Sequence, residues 1–224
     1  LSCAEGEIYF TSGATESNNM ALIGGALARK RRGNKIIMTA IEHASVLECG
    51  KYLEAQGFEV VYLPPDKDGT YKPLDFYKAV DEKTILVSAM LVNNEMGMVL
   101  PVEEIAKAVK RKNPEALMHV DGVQGFLKYP IKLKNSRIDL FTASGHKVYA
   151  PKGVGLLYIR KGVRLVPLFY GGGQQNGVRV GTDNVPLIAG FAAAVKEQMG
   201  YTAEQMAHFK ELKAHLLSLL GTIE

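Results

Sequence analysis

Residues 142–153 read TASGHKVYAPKG, which sets Lys147 in a turn of small residues between two apolar runs, 138–143 and 153–159. A lysine at the edge of a core is costly unless it is solvated, paired or used. A desolvated lysine with a lowered pKa is the group that forms a Schiff base with an aldehyde. Four other places hold groups that suit such a lysine. Ser12-Gly13-Ala14-Thr15 leads from an apolar run into a helix. There small residues bare the backbone N–H groups and the helix N-terminus adds positive potential, which makes either a phosphate cup or an ordinary N-cap. Asp121 closes the run ALMHVD and can hold a proton on a heterocyclic nitrogen, or simply cap or pair. Asn94 and Gln124 are neutral amides that can bond a phenolic oxygen or brace a loop. His43 follows KIIMTAIE and can stack on a planar ring and relay protons, or cap the helix after it. Each has a bland alternative; together they have fewer.

The elements that must position these groups alternate. Short Val/Ile/Leu runs predict strands at 8–11, 35–40, 59–63, 85–91, 117–120, 140–143 and 154–159, with helices near 15–31, 44–56, 73–81, 102–112 and 185–199. Strands alternating with amphipathic stretches predict an α/β fold, a mainly parallel seven-stranded sheet with helices on both faces. Ligands of such sheets bind beyond the carboxyl ends of the strands. The polar segments TSGATESNN, IEHASV, VNNEMG, HVDGVQ and SGHK all fall there. An acid at a strand end beside a Schiff-base lysine is what the pyridinium of pyridoxal phosphate requires.

The chain has 224 residues, of which 47% are hydrophobic, enough for one sizeable core. We read residues 1–200 as one domain and 201–224 as a helix leading into a further piece. The stripe in 203–220 (AEQMAHFKELKAHLLSLL) is one that packs on something following. A start without Met and an end in or just after that helix suggest an incomplete chain. The net charge of +4 is mild, and its one cluster, Arg29 to Arg32, sits at a helix end. We therefore expect no nucleic-acid partner. Two cysteines, Cys3 and Cys49, without CxxC or metal spacing, and no signal or spanning segment, place the chain in the cytoplasm, with neither metal nor membrane.

TSGATESNN, EHASV, VNNEMG, HVDGVQ, SGHKVYAPKGVG and GGGQQNGVRVGTDN, in this order, resemble the class V aminotransferase group of fold-type I pyridoxal-phosphate enzymes, specifically the NifS/IscS-like cysteine desulfurases, over residues 7 to about 200. The resemblance implies that Lys147 bonds the cofactor aldehyde, Asp121 partners the pyridinium, and Gln124 and Asn94 contact the phenolic oxygen. It implies that His43 stacks on the ring and that Ala14, Thr15, Ser144 and His146 hold the phosphate. Thr182 then reaches the phosphate of a neighbouring subunit, so a homodimer is expected. The implied reaction takes L-cysteine to L-alanine and passes sulfur, as an enzyme persulfide, to iron–sulfur scaffold or thiolation acceptors. The persulfide cysteine and the arginine that holds the substrate carboxylate belong to a later region of the family. Neither Cys3 nor Cys49 matches, and Cys49 reads as an inert structural thiol. Asn176 and Val180 depart from the arginine and serine common in relatives. Selenocysteine lyase, an aminotransferase and a non-enzymatic cofactor-binding scaffold are the alternatives.

Overall fold

The computed structural model describes residues 1–199 and 202–223. The expected boundary between 200 and 201 falls on Gly200 and Tyr201, outside the described residues. Seven strands, β1 (Ile8–Thr11), β2 (Lys35–Thr39), β3 (Glu59–Leu63), β4 (Thr84–Met90), β5 (Leu117–Asp121), β6 (Leu140–Ser144) and β7 (Gly155–Ile159), form one sheet in the order β1-β7-β6-β5-β4-β2-β3. Strands β3, β2, β4, β5 and β6 pair in parallel, whereas β7 is antiparallel to both β6 and β1. The β6–β7 connection is too short for a parallel crossover, which needs a dozen or more residues. Lys147 sits on that short connection, on a 3-10 turn spanning Gly145–Val148, so the chain reversal itself holds the lysine at the carboxyl edge of the sheet.

Alternation along the strands sorts side chains to two faces. Ile36, Met38, Leu86, Leu117 and Leu140 pack under one helical layer with Leu22, Val46 and Leu53. Ile37, Val87, Met118, Val120 and Phe141 pack on the other with Phe76, Ile105, Val109 and Phe191. The first layer holds α1 (Ala14–Asn19), a π turn (Met20–Gly24) and α2 (Gly25–Arg29), continuous in helical backbone, followed by α3 (Ala44–Ala55). Because β1 lies at one end of the sheet and β2 near the other, the α1–α2 helix must cross the sheet between them, which carries its buried Ser17 and Asn18 over the middle strands. The other elements are α4 (Pro73–Ala79), α5 (Val102–Lys112), α6 (Val185–Met199) and α7 (Thr202–Leu220). On α7, Phe209, Leu212, Leu216 and Leu220 are half exposed, the apolar stripe expected there. Among the described residues no helix is long and apolar enough to cross a membrane.

Candidate active site

A cavity of about 430 Å³ opens at the carboxyl edge of the sheet, lined by Ala14, Thr15, His43, Asn94, Asp121, Gln124, Ser144, His146 and Lys147, together with Glu16 and Ser45. Nine of the ten site residues expected from the sequence thus face one space, drawn from the ends of β1, β2, β4, β5 and β6. Thr182 does not line it; it is exposed on the loop before α6.

The floor is Asp121, 4% exposed. Its Oδ1 accepts the Val123 N–H at 3.0 Å and its Oδ2 accepts from Asn18 Nδ2 at 2.9 Å. Burial pushes its carboxyl above the usual range, against the opposing pull of those two bonds and of His43. A buried acid in this state gains most from a cation brought into the cavity beside it. At the rim, the N–H groups of Ala14, Thr15 and Glu16 precede the first bond of α1, Ser17 N–H to Gly13 O at 3.1 Å, and so are free of intrahelical acceptors. The cup is tight because β7 passes directly beneath it: a Cβ on Gly155 would lie 2.7 Å from Gly13 Cα. Ser144, buried at the end of β6, shares a hydrogen bond of 2.8 Å with His146 Nδ1. Burial, Lys147 and Lys152 together hold His146 below the ordinary histidine range.

His43 caps α3, its Nδ1 accepting the Ser45 N–H at 3.1 Å, one of the two roles expected of it, and the residue also lines the cavity. Asn94 is exposed toward the cavity while its neighbour Asn93 is buried and used internally, donating to Ile41 O and accepting from the N–H groups of Glu95 and Met96. Lys147 corrects one expectation. Its side chain is exposed, so this chain's own residues do not desolvate it; the 3-10 turn lifts it out of the core that β6 and β7 share.

Sequence reasoning passed over several residues that shape the site. Asn18 and Ser45 support Asp121 and His43. Glu16, at the cup, accepts the Ser12 N–H at 2.6 Å and pairs with Arg179 at 2.8 Å. Bonds from Arg179 and Ser12 outweigh desolvation and hold Glu16 below the usual range. Gln175 bonds both backbone groups of Phe10 on the edge strand β1, so the 171–184 loop is moored at two points. Glu42 lies buried behind Asp121, with Oε1 accepting from Thr39 Oγ1 and Met90 N–H and Oε2 without a partner. Burial, then Asp121, push its carboxyl up to about 8. The two thiols stand apart from the cavity: Cys49 is buried, its thiol pushed up to about 12 by burial, which leaves no nucleophilic thiolate at neutral pH. Among the described residues no cluster of His, Cys, Asp and Glu can hold a metal ion.

Residues 2–224 match the family described as Aminotransferase class-V. The chain is 45% identical over 99% of its length to the Putative cysteine desulfurase IscS 1 of Bacillus subtilis (strain 168), and covers 59% of that protein. It is 42% identical over 97% of its length to the Cysteine desulfurase IscS of Clostridium botulinum (strain Hall), and covers 54% of it. The chain thus spans just over half the length of these relatives. Among solved structures it superposes on a NifS-like protein with a TM-score of 0.94 at 46% identity, covering 97% of this chain and 60% of that one. It also superposes on SspA in complex with cysteine with a TM-score of 0.82 at 41% identity, covering 87% and 56%.

Proposed function

We propose, on the premise that this chain belongs to the aminotransferase class-V family, that residues 1–200 are the pyridoxal-phosphate-binding domain of a cysteine desulfurase and that 201–224 lead out of it. The observation that carries this reading is the opening of Lys147 and Asp121, from the ends of adjacent strands, into one cavity with the free amides of the cup. The residues fit the cofactor. Asp121, buried and short of a cation, suits a protonated ring nitrogen. The amides of Ala14 and Thr15, with Ser144 and His146, suit a phosphate dianion. Asn94 and Gln124 would donate to the phenolic oxygen, His43 would stack on the ring, and Lys147 Nζ would be the amine for the aldehyde; all four line the cavity.

When bound, pyridoxal phosphate supplies an electron sink for negative charge developing at a substrate carbon. The chain's own residues do the rest. Lys147 Nζ, on an exposed side chain, would take up and return the substrate Cα proton. Asn18 and the Val123 N–H hold the two Asp121 oxygens in place and oppose the burial that raises its carboxyl, so they favour the charged form that a protonated ring nitrogen would need. The double mooring of the 171–184 loop presents Thr182 outward, away from this chain's own cavity, which suits contact with a second copy in a homodimer. The SspA structure with cysteine and the names of the curated relatives support L-cysteine as substrate; L-alanine as product, an iron–sulfur scaffold or thiolation protein as sulfur acceptor and a cytoplasmic location belong to the proposed desulfurase reading itself. Full-length protein loaded with pyridoxal phosphate is expected to yield alanine and protein-bound persulfide from L-cysteine. A 2-oxo acid product would instead select an aminotransferase, and selenocysteine-only turnover a selenocysteine lyase.

A further inference from the structure

Asn18 is fully buried where the α1–α2 helix crosses the sheet. Its two amide hydrogens are both used, one to Asp121 Oδ2 and one to Ser45 Oγ, each at 2.9 Å. Its Oδ1 is buried without a partner. Flipping the amide would let that oxygen accept from the Ser45 hydroxyl, but it would also set it against the Asp121 carboxylate and take away the donor Asp121 now has. The carboxylate therefore decides the orientation.

An amide nitrogen only donates. Ser45 Oγ must accept at the Asn18 contact, which leaves its own hydrogen for its other neighbour, His43 Nδ1, at 2.9 Å. The Ser45 backbone N–H also points at Nδ1, at 3.1 Å. A proton on Nδ1 would face both hydrogens, so the neutral ring carries its proton on Nε2. The Nδ1 edge is thereby tied to the N-cap, and the Nε2 edge is the one left free on a side chain that lines the cavity.

We propose that Asn18 is a positioning residue whose amide joins Asp121 to His43 through Ser45 and so fixes neutral His43 as the Nε2–H tautomer, a hydrogen-bond donor rather than an acceptor toward the cavity. This rests on the reading of the cavity as a cofactor site for the use of that donor, and it replaces the expected proton relay by a fixed donor. Neutral His43 has no free lone pair with which to take a proton from substrate. It can only donate a hydrogen bond, for example to a substrate sulfur or carboxylate above the ring.

The test is imidazole ¹⁵N NMR on the whole protein with labelled histidine, recorded with and without pyridoxal phosphate, the His43 signals being assigned by their loss in His43→Gln. The expected spectrum has a bare, pyridine-type Nδ1 and a protonated Nε2. In Ser45→Ala the Nδ1 resonance should move, because a direct donor is lost. In Asn18→Leu, of similar size but without donors, it should move less, because the serine hydroxyl is no longer polarised by the amide. Should Asn18→Leu fail to fold, Ser45→Ala on a half-buried helix start carries the comparison alone. A protonated Nδ1 in the wild type, or an Nδ1 resonance unmoved in the variants that fold, overturns the proposal. The spectrum without cofactor does not depend on whether Lys147 binds an aldehyde, so failure of the cofactor reading and failure of this one are separate results.

Discussion

Glu42→Gln should flatten the pH dependence of stability on the alkaline side of neutrality. Glu42 is 5% exposed and its carboxyl stands at about 8 instead of 4.5, from burial first and from Asp121 second. In the unfolded chain it releases its proton near 4.5, so between 4.5 and 8 the folded state binds more protons than the unfolded one. Stability that is fully present below 4.5 is therefore lost as pH rises through 8. At ~1.4 kcal/mol per pH unit the whole window amounts to about 5 kcal/mol, of which about 2 kcal/mol falls between pH 6.5 and 8. That upper part is the clean one. Buried His119, bonded to Ser88 and Thr142 and pushed down to about 3 by burial, works in the opposite sense, but only as pH falls below 6.5. Asp121, shifted in the same direction as Glu42, is present in both proteins and largely cancels in their difference. Urea denaturation of wild type and Glu42→Gln at pH 6.5, 7.2 and 8 measures the slopes. The wild type should lose about 2 kcal/mol more than the variant across this range. Parallel slopes would refute the assignment of a proton to Glu42 in the folded protein.

Asp121→Asn removes the charge and keeps an acceptor for only one of its two donors, Asn18 Nδ2 and the Val123 N–H; cofactor affinity by absorbance titration should fall at least about tenfold, the value of a lost charge-assisted bond of ~1.5–3 kcal/mol, with stability lowered by about 1–3 kcal/mol for the buried donor left unpaired. Arg179→Ala breaks a part-buried pair with Glu16 and should cost no more than about 1–2 kcal/mol of stability, while limited proteolysis within 171–184 rises sharply. Gly155→Ala drives a methyl to 2.7 Å of Gly13 and should destabilise by about 1–3 kcal/mol by thermal melt and weaken phosphate binding. Cys49, buried with its thiol near 12, should resist thiol reagents in the native state and react only on unfolding; rapid native labelling would contradict its structural role.

The strands were legible because Val, Ile and Leu runs of the right length are bounded by turn chemistry, and the boundaries at Ile8–Thr11 and Glu59–Leu63 match residue for residue. The reversed direction of β7 was not written in its composition; it lies in the shortness of the connection that carries Lys147. The candidate site was legible where one segment supplies one group at a strand end. It was illegible where two remote segments act together. Asn18 meets Asp121 across 103 residues, and Gln175 meets Phe10 across 165. A run such as ESNN on an otherwise apolar helix, with Ser17 and Asn18 both buried, is the one local hint that polar partners wait on the sheet. The exposure of Lys147 was hidden for a related reason: apolar runs on both sides say that the strands are buried, and nothing about which way the turn between them faces.

If Lys147 is the amine of a pyridoxal-phosphate site, borohydride reduction of protein incubated with pyridoxal phosphate should fix the cofactor there. Peptide mass mapping is expected to find one phosphopyridoxyl label, on the peptide containing Lys147, and to find it gone in Lys147→Ala. A label distributed over surface lysines such as Lys51 and Lys83, or unchanged in Lys147→Ala, would contradict it.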